Sequence, residues 1–135
     1  MLKKVFAALA PYAPLPLRLA VGLATVLHGW QKVTDIQGFV DTVSSLGIPY
    51  GQYLAYASVA TEVVGGVLLI VGFLGRFAAL AVAVNMGVAL GYVHLSHGYF
   101  LPKGVEYALA LALGAFSLFL SGPGKASVDS FRGKV

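Results

Sequence analysis

The chain contains no cysteine. That excludes disulfides, thiolate nucleophiles, thiolate metal sites and any persulfide carried on the protein itself. Charge is almost as scarce, since Asp, Glu, Lys and Arg make up 10% of the 135 residues while 59% are hydrophobic. With a mean hydropathy of +0.86, too little polar surface remains for a water-soluble globule, so the composition points to a membrane protein. The formal charge of +4 is too small and too scattered to suggest nucleic acid, and membrane topology explains its distribution better. A phosphate-cradling glycine loop, a dinucleotide fingerprint and GxSxG are all absent from the sequence, which removes the usual nucleotide-binding and serine-hydrolase chemistries.

What is present is long apolar runs. Four stretches, about 15–33, 53–74, 77–95 and 104–120, are each near the length that crosses a hydrocarbon core. They use nearly all of the chain, so the expected fold is all-α: a single domain over 1–135, an integral membrane four-helix bundle with short interfacial amphipathic helices. The first of these helices comes from Leu2, Val5, Phe6 and Leu9 at helical spacing beside Lys3 and Lys4. A cleaved signal peptide fits less well, because Pro11, Pro14 and Pro16 interrupt the apolar stretch and Arg18 follows. The second comes from Ile36, Phe39, Val40, Val43 and Leu46, with Asp35, Asp41, Ser44 and Ser45 on the polar face and Gly47 and Pro49 ending it. Spans two and three join in a tight turn around Gly75 and Arg76, and the residues from Ser121 onward read as a tail leaving the membrane.

Lys3, Lys4, Arg76, Lys125, Arg132 and Lys134 fall on one side of this arrangement, with Arg18 at its edge, against only Lys32 and Lys103 on the other. The positive-inside bias then puts both termini in the cytoplasm. Trp30, Tyr50, Tyr53, Tyr56, Tyr92, Tyr99, Phe100 and Tyr107 gather at the opposite end, as an aromatic belt at the outer interface would.

Glu62 is the most informative residue, because it lies near the middle of the apolar run from Leu54 to Gly75. A carboxylate at that depth is costly unless paired, wetted or neutral, so it marks a polar interior or a functional pocket. Ala55, Ser58, Glu62, Gly66 and Leu69 share a helical face, which aims the acid inward. The acid then either makes a structural hydrogen bond or handles protons and ligand. On span one, Arg18, Gly22, Thr25, Gly29 and Lys32 form a narrow small-and-polar stripe, read either as helix packing or as one wall of a site. Counting depth from the outer ends places His28, Lys32, His94, Glu106 and Tyr107 in the outer half with Glu62 as the deepest member. Such a set could stabilise its own charges beside a quinone head group or a small anion.

On span three, Asn85, Ala89 and Tyr92 point one way, whereas Ala83, Gly87 and His94 point nearly the opposite way at 100° per residue. Only one of these faces can look into a small bundle, so the other must meet lipid, another protomer or a partner subunit, and small residues on both faces favour further helix contacts. His94 and His97 could chelate a metal if the helix continued, but solvation at the interface is the simpler account, so no metal site is assigned.

In this order, the residues resemble the DoxX family of small membrane proteins. The resemblance is carried by RLAVGLATVLHGWQK in span one, LGIP before span two, TEVVGG inside it, GRFAAL entering span three, GYVHLSHGYF leaving it, GVEYALAL opening span four and GPGKASVD at the tail. It implies a prokaryotic cytoplasmic-membrane protein with Arg18, His28, Lys32, Glu62, His94 and Glu106 at the family's recurrent polar positions. It also implies an association with quinone-linked redox complexes, since the family is named after a thiosulfate:quinone oxidoreductase system. The sequence offers no intrinsic electron carrier, so independent catalysis is not expected and quinone is the one cofactor the resemblance suggests. The resulting expectation is an accessory or anchoring subunit of a membrane oxidoreductase, in the lipid bilayer and either homo-oligomeric or joined to redox subunits, with no nucleic-acid partner. Proton-coupled or small-solute transport and a purely structural assembly role are the alternatives.

Overall fold

The computed structural model describes residues 1–133 and is helical throughout its regular structure. Lys134, counted above among the cations of one side, lies outside the described residues. Helix α1 (Leu2–Leu9) leads through a 3₁₀ turn, Ala10–Tyr12, into α2 (Pro14–Thr34); α3 (Ile36–Ser45) follows at once. The second span is α4 (Gly51–Ala60), a π-helical segment Thr61–Gly65, and α5 (Gly66–Val71). The third is α6 (Gly75–Ala89), continued by a π-helical segment Leu90–His94 and a 3₁₀ turn Leu95–His97. Helix α7 (Glu106–Ser121) is the fourth, and α8 (Val128–Phe131) is the last helix among the described residues. Leu2–Thr34, Gly51–Val71 and Gly75–His97 are long and apolar enough to cross a bilayer, with Glu106–Ser121 a shorter apolar helix. These elements make an all-α membrane helical bundle.

In lipid, apolar surface gives helices little reason to associate, so close packing must hold them together. Ala78, Ala79, Val82 and Met86 of α6 meet Leu111, Ala115 and Leu118 of α7 in one core that also takes in Val21 and Leu69. The spacing 108, 111, 115, 118 of the buried α7 residues is a heptad-like seam. Between α2 and the second span the approach is closer still. A Cβ at Gly22 would lie 2.8 Å from the Gly66 carbonyl oxygen, and one at Gly66 would lie 2.8 Å from that of Gly22, so only glycine permits this backbone-to-backbone contact.

The end of the bundle that carries α1 and α8 is closed by the segment after α7. Gly122, Pro123, Gly124, Ser127 and Asp129 are buried, so the residues read as a tail leaving the membrane pack back against the bundle. The segment stays because its polar groups find partners in the bundle: Lys125 N donates to Pro11 O at 2.8 Å, Asp129 N to Gly72 O at 3.0 Å, and Ser127 Oγ caps α8 through Ser130 N. The turn between spans two and three differs from expectation. It lies at Gly72–Leu74, with positive φ at Gly72 and Leu74, and Gly75 is already the first residue of α6.

At the opposite end α3 begins on an Asp35 side-chain cap, with Gly38 N donating to Oδ1 at 3.2 Å, and only Val40 is fully buried. The connection before α7 folds back on itself, with Gly104 N donating to Phe100 O, Val105 N to Gly98 O and Glu106 N to Tyr99 O. It forms a cover over that end of the bundle. The eight aromatic residues expected to form a belt are all exposed.

Candidate functional site

Glu62 sits in the π-helical segment of the second span and is 1% exposed. π-Helical turns often mark functional positions, because the extra residue bulges the helix. The Lys32 ammonium, on the last turn of α2, donates to Glu62 Oε1 at 2.5 Å, and Asn85 Nδ2 of α6 donates to the same oxygen at 3.2 Å. The other carboxylate oxygen, Oε2, is buried with no hydrogen-bond partner among the described residues. An acceptor left bare in that way costs about 1–3 kcal/mol, more when charged. Lys32 also lies over the Phe39 ring of α3, 4.6 Å from its centroid, which adds a cation–π contact.

Glu62 borders a cavity of about 290 Å³ whose walls include Thr25, His28, Lys32, His94 and Tyr107, with Leu101, Pro102 and Gly104 of the cover closing it. His28 and Tyr107 face each other across α2 and α7, ring centroids 5.2 Å apart. His94 Nδ1 lies 2.8 Å from Lys103 O; a carbonyl can only accept, so Nδ1 is the donor. A second cavity of about 260 Å³ lies beside the first, under α3, and shares Lys32, Ala89 and His94 with it. Its walls are mainly apolar, among them Phe39, Val43, Leu46, Ile48 and Leu54, with Ser58, Thr61 and Asn85 as polar exceptions.

The expected cluster is therefore assembled in part. Glu62, Lys32, His28, His94 and Tyr107 share one cavity. Arg18 does not join them: it is 14 residues before Lys32 on the same helix, about 21 Å away at 1.5 Å per residue. It is buried at the other end of the bundle, where Nη1 donates to Pro123 O at 2.6 Å and Nη2 to Ala126 O at 2.8 Å. Glu106 caps the cover by accepting from Leu101 N at 2.7 Å and borders neither cavity. His97 is exposed, its Nδ1 2.8 Å from Val93 O, and no group of three or more His, Asp or Glu among the described residues could hold a metal.

Asn85 completes the first coordination of Glu62 yet was expected only as one side of an ambiguous helix. The either-or on span three dissolves for a physical reason. The π-helical segment Leu90–His94 inserts about one extra residue into a turn, rotating everything beyond it by about 100°. Asn85 and Ala89 then line cavities together with His94, while Gly87 faces open space with nothing within 4 Å of a Cβ position. A polar side chain four residues before a small one on an apolar helix was the available signal.

The DoxX family model matches residues 13–95, and the chain belongs to that family. It is 30% identical over 130 residues to the inner membrane protein YphA of Escherichia coli, covering 92% of this chain and 93% of that one. CatD of Bacillus subtilis, named provisionally as an oxidoreductase, is 28% identical over 115 residues, covering 85% and 83%. An uncharacterized membrane protein of Mycobacterium tuberculosis is 28% identical over 131 residues, covering 88% and 80%. No solved structure matches the chain.

Proposed function

We propose that this chain is an accessory subunit of a membrane redox complex, whose cavity around Glu62 receives a quinone-type head group or a similar small substrate. One observation carries the reading: a buried carboxylate with one oxygen fixed by Lys32 and Asn85 and the other unpaired, at the wall of a cavity that also holds two imidazoles and a phenol. A purely structural acid would be expected to satisfy both oxygens. The oxidoreductase name carried by CatD supports a redox partner, as a likeness between relatives and no more.

A quinone fits the chemistry of these residues. Lys32, His28, His94 and Tyr107 offer hydrogen-bonding groups to ring oxygens, and the apolar cavity under α3 offers room for a tail. Such a group, when bound, supplies a carrier of two electrons and two protons to the partner's chemistry. The residues of this chain hold and orient it: Asn85 and Lys32 fix the Glu62 carboxylate, the Lys103 carbonyl fixes the His94 ring, and Leu101, Pro102 and Gly104 form one wall of the cavity. Transport fits less well, because the opposite end of the bundle is filled by Arg18 and the buried segment behind it.

In this reading the protein lies in the cytoplasmic membrane with both termini inside, because Lys3, Lys4, Arg76, Lys125 and Arg132 flank one end of the spans. The test is mild-detergent copurification, followed by mass spectrometry of bound chains and extracted lipids, together with Glu62→Gln. A redox partner or quinone that copurifies with the wild type and is lost from the variant supports the proposal. A protein that brings neither, with a redox phenotype unchanged by the substitution, overturns it.

A further inference from the structure

The hydrogen-bonding capacity left over at this site is unequal in kind. Paired with Lys32, Glu62 is a carboxylate and can only accept; Oε1 is occupied and Oε2 is bare. His94 spends its Nδ1 hydrogen on the Lys103 carbonyl, so in the neutral ring Nε2 keeps a lone pair and no hydrogen. No described residue bonds that nitrogen, and the ring borders both cavities. The cation that borders both cavities, Lys32, directs its charge to Glu62 Oε1 and the face of Phe39. Tyr107 and His28 also bring an O–H and an N–H to the cavity, but both residues are exposed and can spend them on water or lipid head groups, whereas the buried Glu62 Oε2 can be satisfied only by a donor that enters the cavity.

We propose that the cavity selects the hydroxylated member of a quinone couple, an aromatic diol with an apolar tail, over the carbonyl form. The inference rests on the quinone-type reading above and specifies which form is bound. One hydroxyl donates to Glu62 Oε2, His94 Nε2 serves as the second acceptor, the ring lies against the His28–Tyr107 pair, and the tail occupies the cavity under α3. A carbonyl oxygen in the same place would set lone pair against lone pair and leave the buried carboxylate oxygen bare.

The test is equilibrium binding to the full chain in nanodiscs under anaerobic conditions, with three probes of nearly the same shape: decylhydroquinone, its di-O-methyl ether and decylbenzoquinone. The hydroquinone is expected to bind at least about 10-fold more tightly than either of the others. Glu62→Gln should erase that preference, because the amide can donate to a carbonyl, whereas Glu106→Gln, outside both cavities, should preserve it. Benzoquinone or ether binding as tight as the hydroquinone overturns this inference while leaving the redox-pocket reading standing. Binding of none of the three overturns both. The comparison among probes needs only the wild-type chain, so it decides the matter even if Glu62→Gln misfolds.

Discussion

Asp129 holds the start of α6 from the far end of the chain. Its Oδ1 accepts from Leu74 N at 3.0 Å and its Oδ2 from Gly75 N at 2.8 Å, and the residue is 5% exposed. These are two of the amides that a helix N-terminus leaves without internal partners, and the positive end of the helix dipole favours a carboxylate there. Asp129→Ala removes both acceptors at once. Gly75 N is buried and has no other partner, whereas Leu74 is 44% exposed and its amide can turn to water or lipid head groups. Most of the loss therefore falls on one bond, and the destabilisation should be about 3 kcal/mol, from charge-assisted bonds of about 1.5–3 kcal/mol each. For a domain of this size that lowers the melting temperature by on the order of 10 °C.

The assay is thermal unfolding of the purified variant in a mild detergent, with hydrogen exchange read at Leu74 and Gly75. Asp129→Asn keeps one acceptor and should lose about half as much. If Asp129→Ala melts within about 2 °C of the wild type, with both amides still protected, the carboxylate is not what anchors the segment and the account of this end of the bundle is refuted.

Three further outcomes are expected. Lys32→Met leaves Glu62 buried with only Asn85 on Oε1 and should cost about 3 kcal/mol, at the lower end for a broken buried pair because the Lys32 side chain is 26% exposed; pairing it with Glu62→Leu should bring the melting temperature back near the wild type. Gly87→Ala meets no atom within 4 Å and should leave the isolated chain as stable or better, by up to about 1 kcal/mol; a loss of copurifying protein with no loss of stability would locate a partner helix on that face. Single cysteines introduced into this cysteine-free chain at Ser130 should react with a membrane-impermeant maleimide only after the cytoplasmic side is opened, and those at Ser45 in intact cells.

Much of the bundle was legible because its signals are local. A run of apolar residues reports a span, and Ile36, Phe39, Val40 and Val43 at helical spacing report an amphipathic helix, without knowledge of any neighbour. The inward aim of Glu62 was equally legible, since the straight helix before it fixes its phase. Beyond Ala89 that reasoning failed, because extrapolating 100° per residue assumes a uniform helix and the π-helical turn Leu90–His94 breaks it. What holds Arg18 was not legible. Its stripe on α2 is real, with Gly22, Thr25 and Gly29 all buried along it, but sharing a face says nothing of sharing an end. Its partners, the carbonyls of Pro123 and Ala126, are backbone groups more than a hundred residues away and carry no side-chain signature.

The sequence leaves packing and ligand chemistry as rival readings of the α2 stripe, yet the geometry makes one depend on the other. A Cβ at Gly29 would lie 2.8 Å from Cβ of Glu62 and from Cγ2 of Val63. The helix can therefore come close enough for Lys32, three residues further on, to reach back to Oε1. Gly29→Ala should push α2 away from the π-helical segment at a cost of about 1–3 kcal/mol, and should also part Lys32 from Glu62. Gly22→Ala is just as tight, 2.8 Å from the Gly66 carbonyl oxygen, but lies two helical turns deeper, so it should lower stability by a similar amount while leaving the cavity's chemistry intact. Thermal unfolding and decylhydroquinone binding, measured on both variants, separate the effects. Equal loss of stability with loss of binding only for Gly29→Ala is the expected pattern; equal binding in the two would mean that the close approach of the helices and the state of Glu62 are independent.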